Sequence, residues 1–195
     1  MPVTTENSTA QIQELKAVAS LLDEEHAERV RYLWNELEKR FGVEATFRTP
    51  LPHFSYQVAE AYDLGALQEI LSEAVRDQQP FSITTGGLGV FTGAHPTLYI
   101  PVIRTATLSA FHERLYTPLA QIATNLRPYY TPRYWMPHIT LVPADVDSET
   151  LADILQYLSR HDFMWEISVD NVTLICDACG KQGVQQRFDF GAAPA

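Results

Sequence analysis

Cysteine is scarce: two in 195 residues, Cys176 and Cys179. Two thiols exclude a disulfide scaffold, and Cys-Asp-Ala-Cys alone supplies too few ligands for a four-coordinate zinc site. A Cys-x-x-Cys redox pair normally opens a helix in a thioredoxin-like unit. Here it closes the apolar run Val172-Thr173-Leu174-Ile175, so reduced thiols at a strand end are expected. Basic residues are also few, 14 against 24 acidic ones, for a formal net charge of −10. That argues against a non-specific grip on long nucleic acid, which needs a broad basic surface, and leaves room for a small basic pocket. No apolar run is long enough to cross a bilayer. Met1–Ala10 is polar, without an apolar leader. A soluble, cytoplasmic, monomeric protein without a membrane partner is the expectation.

What is present is a globular composition, 46% hydrophobic and 19% charged. Apolar residues recur at helical spacing from Ile12 through Leu15, Val18 and Leu22 to Val30, Leu33, Trp34 and Leu37. This predicts an N-terminal helical segment over about 9–41, stopped by Gly42. Val43–Thr49 reads as a strand. Helices are predicted over 64–78, 106–126 and 148–160, the first and last behind the capping residues Asp63 and Asp147 or Ser148. Strands are predicted over 53–59, 81–85, 88–91, 97–103, 138–142, 163–169, 172–176 and 184–190, with glycine pairs marking turns.

Two stretches share a grammar: Leu51-Pro52-His53-Phe54-Ser55-Tyr56 and Met136-Pro137-His138-Ile139-Thr140-Leu141. Each reads apolar, Pro, His, apolar, hydroxyl, apolar or aromatic, and the histidines lie 85 positions apart. In a strand, residues two apart share a face. His53 therefore points with Ser55, and His138 with Thr140, while Phe54 and Ile139 face the core. An imidazole moves protons near neutral pH, and a neighbouring hydroxyl donates to an oxyanion. Each motif opens a run of strand, helix and three strands, so a duplicated arrangement is expected, with halves at about 43–104 and 127–191. The remaining histidines are read as structural or solvated. His95 sits in a turn before a proline, His26 on a charged helix face, and His112 and His161 on a helix surface or helix end.

These motifs resemble those of the 2H phosphoesterases, the superfamily that holds the 2′-5′ RNA ligase-like proteins and cyclic phosphodiesterases. The family signature is a pair of His-x-Ser/Thr-x motifs, and His53-Phe54-Ser55-Tyr56 and His138-Ile139-Thr140-Leu141 match it over roughly Val43 to Phe190. The resemblance implies an α+β fold in which two antiparallel β-sheet lobes, each β-α-β-β-β and related by a pseudo-two-fold, flank a central cleft with helices outside. It implies phosphodiester cleavage with His53 and His138 as general base and general acid, in an order the sequence leaves open. Ser55 and Thr140 would bind the non-bridging oxygens. No cofactor is implied, because the family works without a metal. The chain has no H-E-x-x-H motif and no cluster of Asp near either central histidine.

The substrate implied is a nucleotide or short RNA with a 2′,3′-cyclic phosphate or a 2′-5′ linkage. Aromatic and basic residues gather before the second motif, and Tyr130, Arg133, Tyr134 and Trp135 are candidates to stack on a base and offset phosphate charge. Tyr134 and Trp135 read equally well as core. A non-catalytic module that holds nucleotides or RNA ends, and a cyclic phosphodiesterase directed at lipid or protein, are the alternative functions.

Overall fold

The computed structural model describes residues 15–43, 50–94, 96–143, 146–178 and 181–191. The expected strand Val43–Thr49 falls almost wholly outside them, as do His95 and Cys179. Strands β1 (Lys16–Leu21), β2 (His53–Ala59), β10 (Asn171–Ala178) and β11 (Lys181–Asp189) form a four-stranded antiparallel sheet in the order β11-β10-β1-β2. Strands β5 (Gly89–Phe91), β6 (Thr97–Pro101) and β8 (His138–Val142) form a three-stranded antiparallel sheet in the order β5-β6-β8. Among the described residues there are also two short pairs: β3 (Ala61–Tyr62) with β7 (Ala123–Thr124), and β4 (Phe81–Thr84) with β9 (Glu166–Val169). The fold is α+β.

Among the described residues the helices are α1 (Glu24–Phe41), α2 (Leu64–Arg76), α3 (Ala106–Ile122) and α4 (Ser148–Leu158). Each starts where a side-chain oxygen takes a free backbone N–H: Asp23, Asp63, Thr105 and Asp147 all accept from their first turns. Gly42 ends α1 in the left-handed region, at φ 70°, and its N–H reaches the Glu38 carbonyl. Helices α2 and α3 pack together, α3 against β2 and α2 against β10 and β11, while α1 packs against β8 and α4. One continuous apolar core runs through all of these elements.

Two expectations are corrected. The helical reading of 9–41 fails over Lys16–Leu21, which is the strand β1, and the helix begins only at Glu24. β1 lies between β10 and β2, and Ala17, Val18, Ala19 and Ser20 are all buried. A strand covered on both faces carries a continuous apolar run, which spacing alone does not separate from a buried helix. The sequence halves are also not separate sheets. The hairpin β10-β11 from the second half joins the sheet of β2, and the hairpin β5-β6 from the first half joins the sheet of β8.

This exchange sets the site. β2 and β8, which carry the two motifs, are each the last strand of their sheet, and they lie against one another.

Candidate active site

Both motifs take the same local form. In β2, His53 and Ser55 are half-buried on one face, while Phe54 and Tyr56 are enclosed in the core. In β8, His138 and Thr140 are half-buried, and Ile139 and Leu141 are enclosed. Each strand also bulges one residue past its hydroxyl. Against β1 the pairing steps from Ser55 to Gln57, and against β6 it steps from Thr140 to Val142, which leaves Tyr56 and Leu141 unpaired. Such bulges re-aim side chains and interrupt the ladder.

The histidines are anchored alike. His53 Nδ1 lies 2.6 Å from the Leu51 carbonyl, and His138 Nδ1 lies 2.7 Å from the Met136 carbonyl, two residues back in each case. A carbonyl only accepts, so Nδ1 carries the proton in both rings. That leaves Nε2 of each as the atom free to take or give a proton. Burial pushes the His53 imidazole below its ordinary value, the Leu51 carbonyl opposes that, and a charged His138 nearby lowers it further. Burial likewise lowers His138, against the pull of the Met136 carbonyl. The strands that carry the two rings, β2 and β8, lie against one another.

The hydroxyl residues are braced from behind. The Trp135 indole N–H donates to the Ser55 carbonyl at 2.8 Å, and the Trp34 indole N–H donates to the Thr140 carbonyl at 3.2 Å. The 3-10 turn Pro128–Tyr130 and its flanks run along the free edge of β2, where the Arg127 N–H meets the Val58 carbonyl at 2.9 Å. Tyr130 lies in that turn, and its hydroxyl interacts with that of Ser55. Burial drives the Tyr130 phenol up to about 12, against the bond to Ser55 and the charge of Arg127, so it stays a donor.

Of the predicted binding residues, Tyr134 is exposed, with the Arg133 guanidinium 5.4 Å from its ring centroid. Trp135 is different. It is 1% exposed and stacked on His112 at 3.8 Å, so it has no face to offer a base. The expectation that it stacks on substrate is replaced by a supporting role.

His112 is corrected as well. It is fully buried on α3 rather than on a helix surface, and its Nε2–H donates to the Tyr56 carbonyl at 3.0 Å. The stripe Leu108, Phe111, Leu115 and Leu119 already runs along this side of α3, so helical spacing signalled the burial. Burial holds the His112 imidazole down at about 4, against hydrogen bonding to backbone and with a smaller push from Arg104, so it is neutral at ordinary pH. His26 is not solvated either. It is 6% exposed, with Nδ1 2.7 Å from Asp23 and its ring 5.6 Å from that of Trp165. His161 lies just past the end of α4, as expected.

Phe91 and Tyr99 were not singled out from the sequence, yet they stack on each other at 4.2 Å and lie 4.9 and 5.2 Å from the His138 ring. The missed signal is Gly89, directly opposite Tyr99 in the β5-β6 register. A Cβ there would stand 2.5 Å from the Tyr99 ring, so only glycine lets the phenol lie flat across β5. Among the described residues, no three His, Cys, Asp or Glu side chains converge as a metal site would require. No described helix is long and apolar enough to cross a membrane.

The family profile of the 2′-5′ RNA ligase superfamily matches residues 22–178. The chain belongs to the 2′-5′ RNA ligase superfamily. A Bacillus cereus protein provisionally named a phosphoesterase is 28% identical over 144 residues, 72% of this chain and 78% of that protein. Among solved structures, TT0787 of Thermus thermophilus superposes with a TM-score of 0.64 at 15% identity, over 91% of this chain and 98% of that one. Escherichia coli LigT complexed with 3′-AMP gives a TM-score of 0.60 at 15% identity, over 92% and 99%. At such identity these two likenesses show the fold. Membership of the 2′-5′ RNA ligase superfamily accords with the 2H resemblance read from the paired motifs.

Proposed function

We propose that this chain is a phosphodiesterase that opens 2′,3′-cyclic phosphates, or cleaves 2′-5′ linkages, at nucleotides and RNA ends. The observation that carries the proposal is the matched anchoring of His53 and His138 by Nδ1, which leaves two Nε2 atoms for one phosphate. In the scheme, the neutral imidazole takes a proton from water as the water oxygen forms its bond to phosphorus. The imidazolium of the other histidine gives its proton to the departing ribose oxygen as that P–O bond breaks. With a cyclic phosphate and departure of the 3′ oxygen, the product is a 2′-phosphomonoester, and atoms and charge balance without a further reactant. Ser55 and Thr140 donate to the non-bridging oxygens, where negative charge grows. General acid–base catalysis of this kind contributes about 10²–10⁴-fold.

Nucleotide substrates are supported by LigT, which has been crystallised with 3′-AMP, ATP, NADP+ and phosphate. Tyr130, Arg133 and Tyr134 are the substrate contacts we propose, with Tyr130 acting at Ser55 and the exposed Arg133–Tyr134 pair meeting the nucleoside. The net charge of −10 favours small substrates or RNA termini over the interior of long chains.

The test is turnover of a panel of 2′,3′-cyclic nucleotides, 2′-5′ dinucleotides and ADP-ribose cyclic phosphate in a strong chelator. Metal-independent hydrolysis of at least one supports the reading. Tight nucleotide binding with no turnover means a binding module. Activity lost to the chelator and restored by one added metal means a metallohydrolase.

A further inference from the structure

An edge strand presents carbonyls that no ladder satisfies. β2 and β8 are both edge strands, and each bulges immediately after its hydroxyl residue. The peptide that begins at Ser55, like the one that begins at Thr140, thus lacks ladder support on its outer side. At both places a fully enclosed tryptophan supplies the missing donor, at 2.8 Å to Ser55 and 3.2 Å to Thr140.

In sequence order the bracing is crossed. Trp135 stands three residues before the second histidine, yet it holds the hydroxyl residue of the first motif. Trp34 lies on α1, ahead of the first motif, yet it holds that of the second. We infer that Trp135 and Trp34 are positioning residues whose indole N–H groups set the aim of the Ser55 and Thr140 hydroxyls. Neither ring touches the phosphate. Both act by fixing a peptide plane from which a hydroxyl is hung, and displacements of about 1 Å in such groups are felt in the rate. Trp135 leads directly into β8 and holds a carbonyl of β2, so that brace also links the two strands, whereas Trp34 holds β8 from α1, the helix packed against it.

This inference rests on the proposed role of the two hydroxyls, and the test separates the two ideas. Trp135 and Trp34 are replaced one at a time by benzothienylalanine, which keeps the bicyclic shape and lacks the N–H. Trp135→Phe and Trp34→Phe, which also lack the donor, serve as second variants. Turnover of a 2′,3′-cyclic nucleotide is measured in the wild-type, Ser55→Ala and Thr140→Ala backgrounds, with melting followed for each.

The expected loss in kcat is about 5- to 30-fold per tryptophan, with KM within about 2-fold, the scale of one hydrogen bond felt mainly in the transition state. The Trp135 effect should vanish in Ser55→Ala and persist in Thr140→Ala, and the Trp34 effect should do the reverse. 5-Fluorotryptophan, which retains the donor, should recover most of the rate that benzothienylalanine loses. Effects that multiply in all four combinations, or a tryptophan replacement that lowers only the melting temperature, would overturn the inference. If Ser55→Ala and Thr140→Ala themselves leave turnover unchanged, the hydroxyl role in the proposed function falls, and the brace has nothing to aim.

Discussion

Strands β2 and β8 share their chemistry and differ in their surroundings. Each holds a histidine by Nδ1, projects a hydroxyl two residues on, bulges at the next residue and takes an indole N–H on the hydroxyl residue's carbonyl. Behind β2 stands a polar support. His112 and Trp135, stacked together, donate to the consecutive carbonyls of Tyr56 and Ser55, and Tyr130 meets the Ser55 hydroxyl. Beside His138 stand the aromatic rings of Phe91 and Tyr99. The shared features all bear on where one imidazole Nε2 and one hydroxyl point. Of the unshared ones, His112, Phe91 and Tyr99 belong to the packing of two different sheets, while Tyr130 adds a contact at the Ser55 hydroxyl alone. That division is what the proposed two-sided grip on a single phosphate would require.

The largest expected effect tests the equivalence directly. His53→Ala and His138→Ala should each lower kcat on a 2′,3′-cyclic nucleotide by about 10²–10⁴-fold. The double variant should be little worse than the poorer single one, because acid and base act as a unit. A loss confined to one histidine would break the symmetry between the strands.

The next effect belongs to the β2 side alone. The folded His112 lies at about 4, below its ordinary value of 6.5. In that window the unfolded chain binds the extra proton, so stability falls as pH drops from about 6.5 towards 4. The loss should be about 2–4 kcal/mol from this shift, read by denaturant unfolding, and largely absent in His112→Gln. An unchanged slope in that variant would place the sensitivity elsewhere.

The two hydroxyls come third. Ser55→Ala and Thr140→Ala should each raise the barrier by about 1–3 kcal/mol if a charge-assisted bond is lost, measured as kcat/KM. The smallest effect sharpens the difference between the strands. Tyr130→Phe should cost about 0.5–1.5 kcal/mol in the barrier, and that cost should disappear in Ser55→Ala while remaining in Thr140→Ala.

The sequence made the histidine–hydroxyl pairs legible because strand alternation and the repeated proline mark them locally. Most helices and strands were legible for the same reason. Asp63 and Asp147 cap where expected, and the spacing of Leu67, Leu71 and Val75 matches a buried stripe. Three things were not legible. β1 hid in a helical pattern because a strand buried on both faces has no alternation. The exchange of hairpins between sheets leaves no local trace, since either topology uses the same elements in the same order. Trp135 read equally well as a binding residue or as core, and only the long-range contacts with His112 and the Ser55 carbonyl decide between them and reveal it as a brace.

The central claim is that two imidazoles, one neutral and one protonated, act on one phosphate. The most direct test is the pH dependence of kcat/KM for the wild type and for the residual activity of His53→Ala and His138→Ala, with folding checked at each pH. Burial lowers both imidazoles. The neutral fraction of the base and the protonated fraction of the acid therefore both shift to lower pH. The wild-type profile should be a bell whose maximum lies below about 6.5, the ordinary imidazole value. Each single variant should keep only one limb, and a different limb in each case. A bell that survives unchanged in both variants would contradict the account, because the titrating pair would then lie elsewhere.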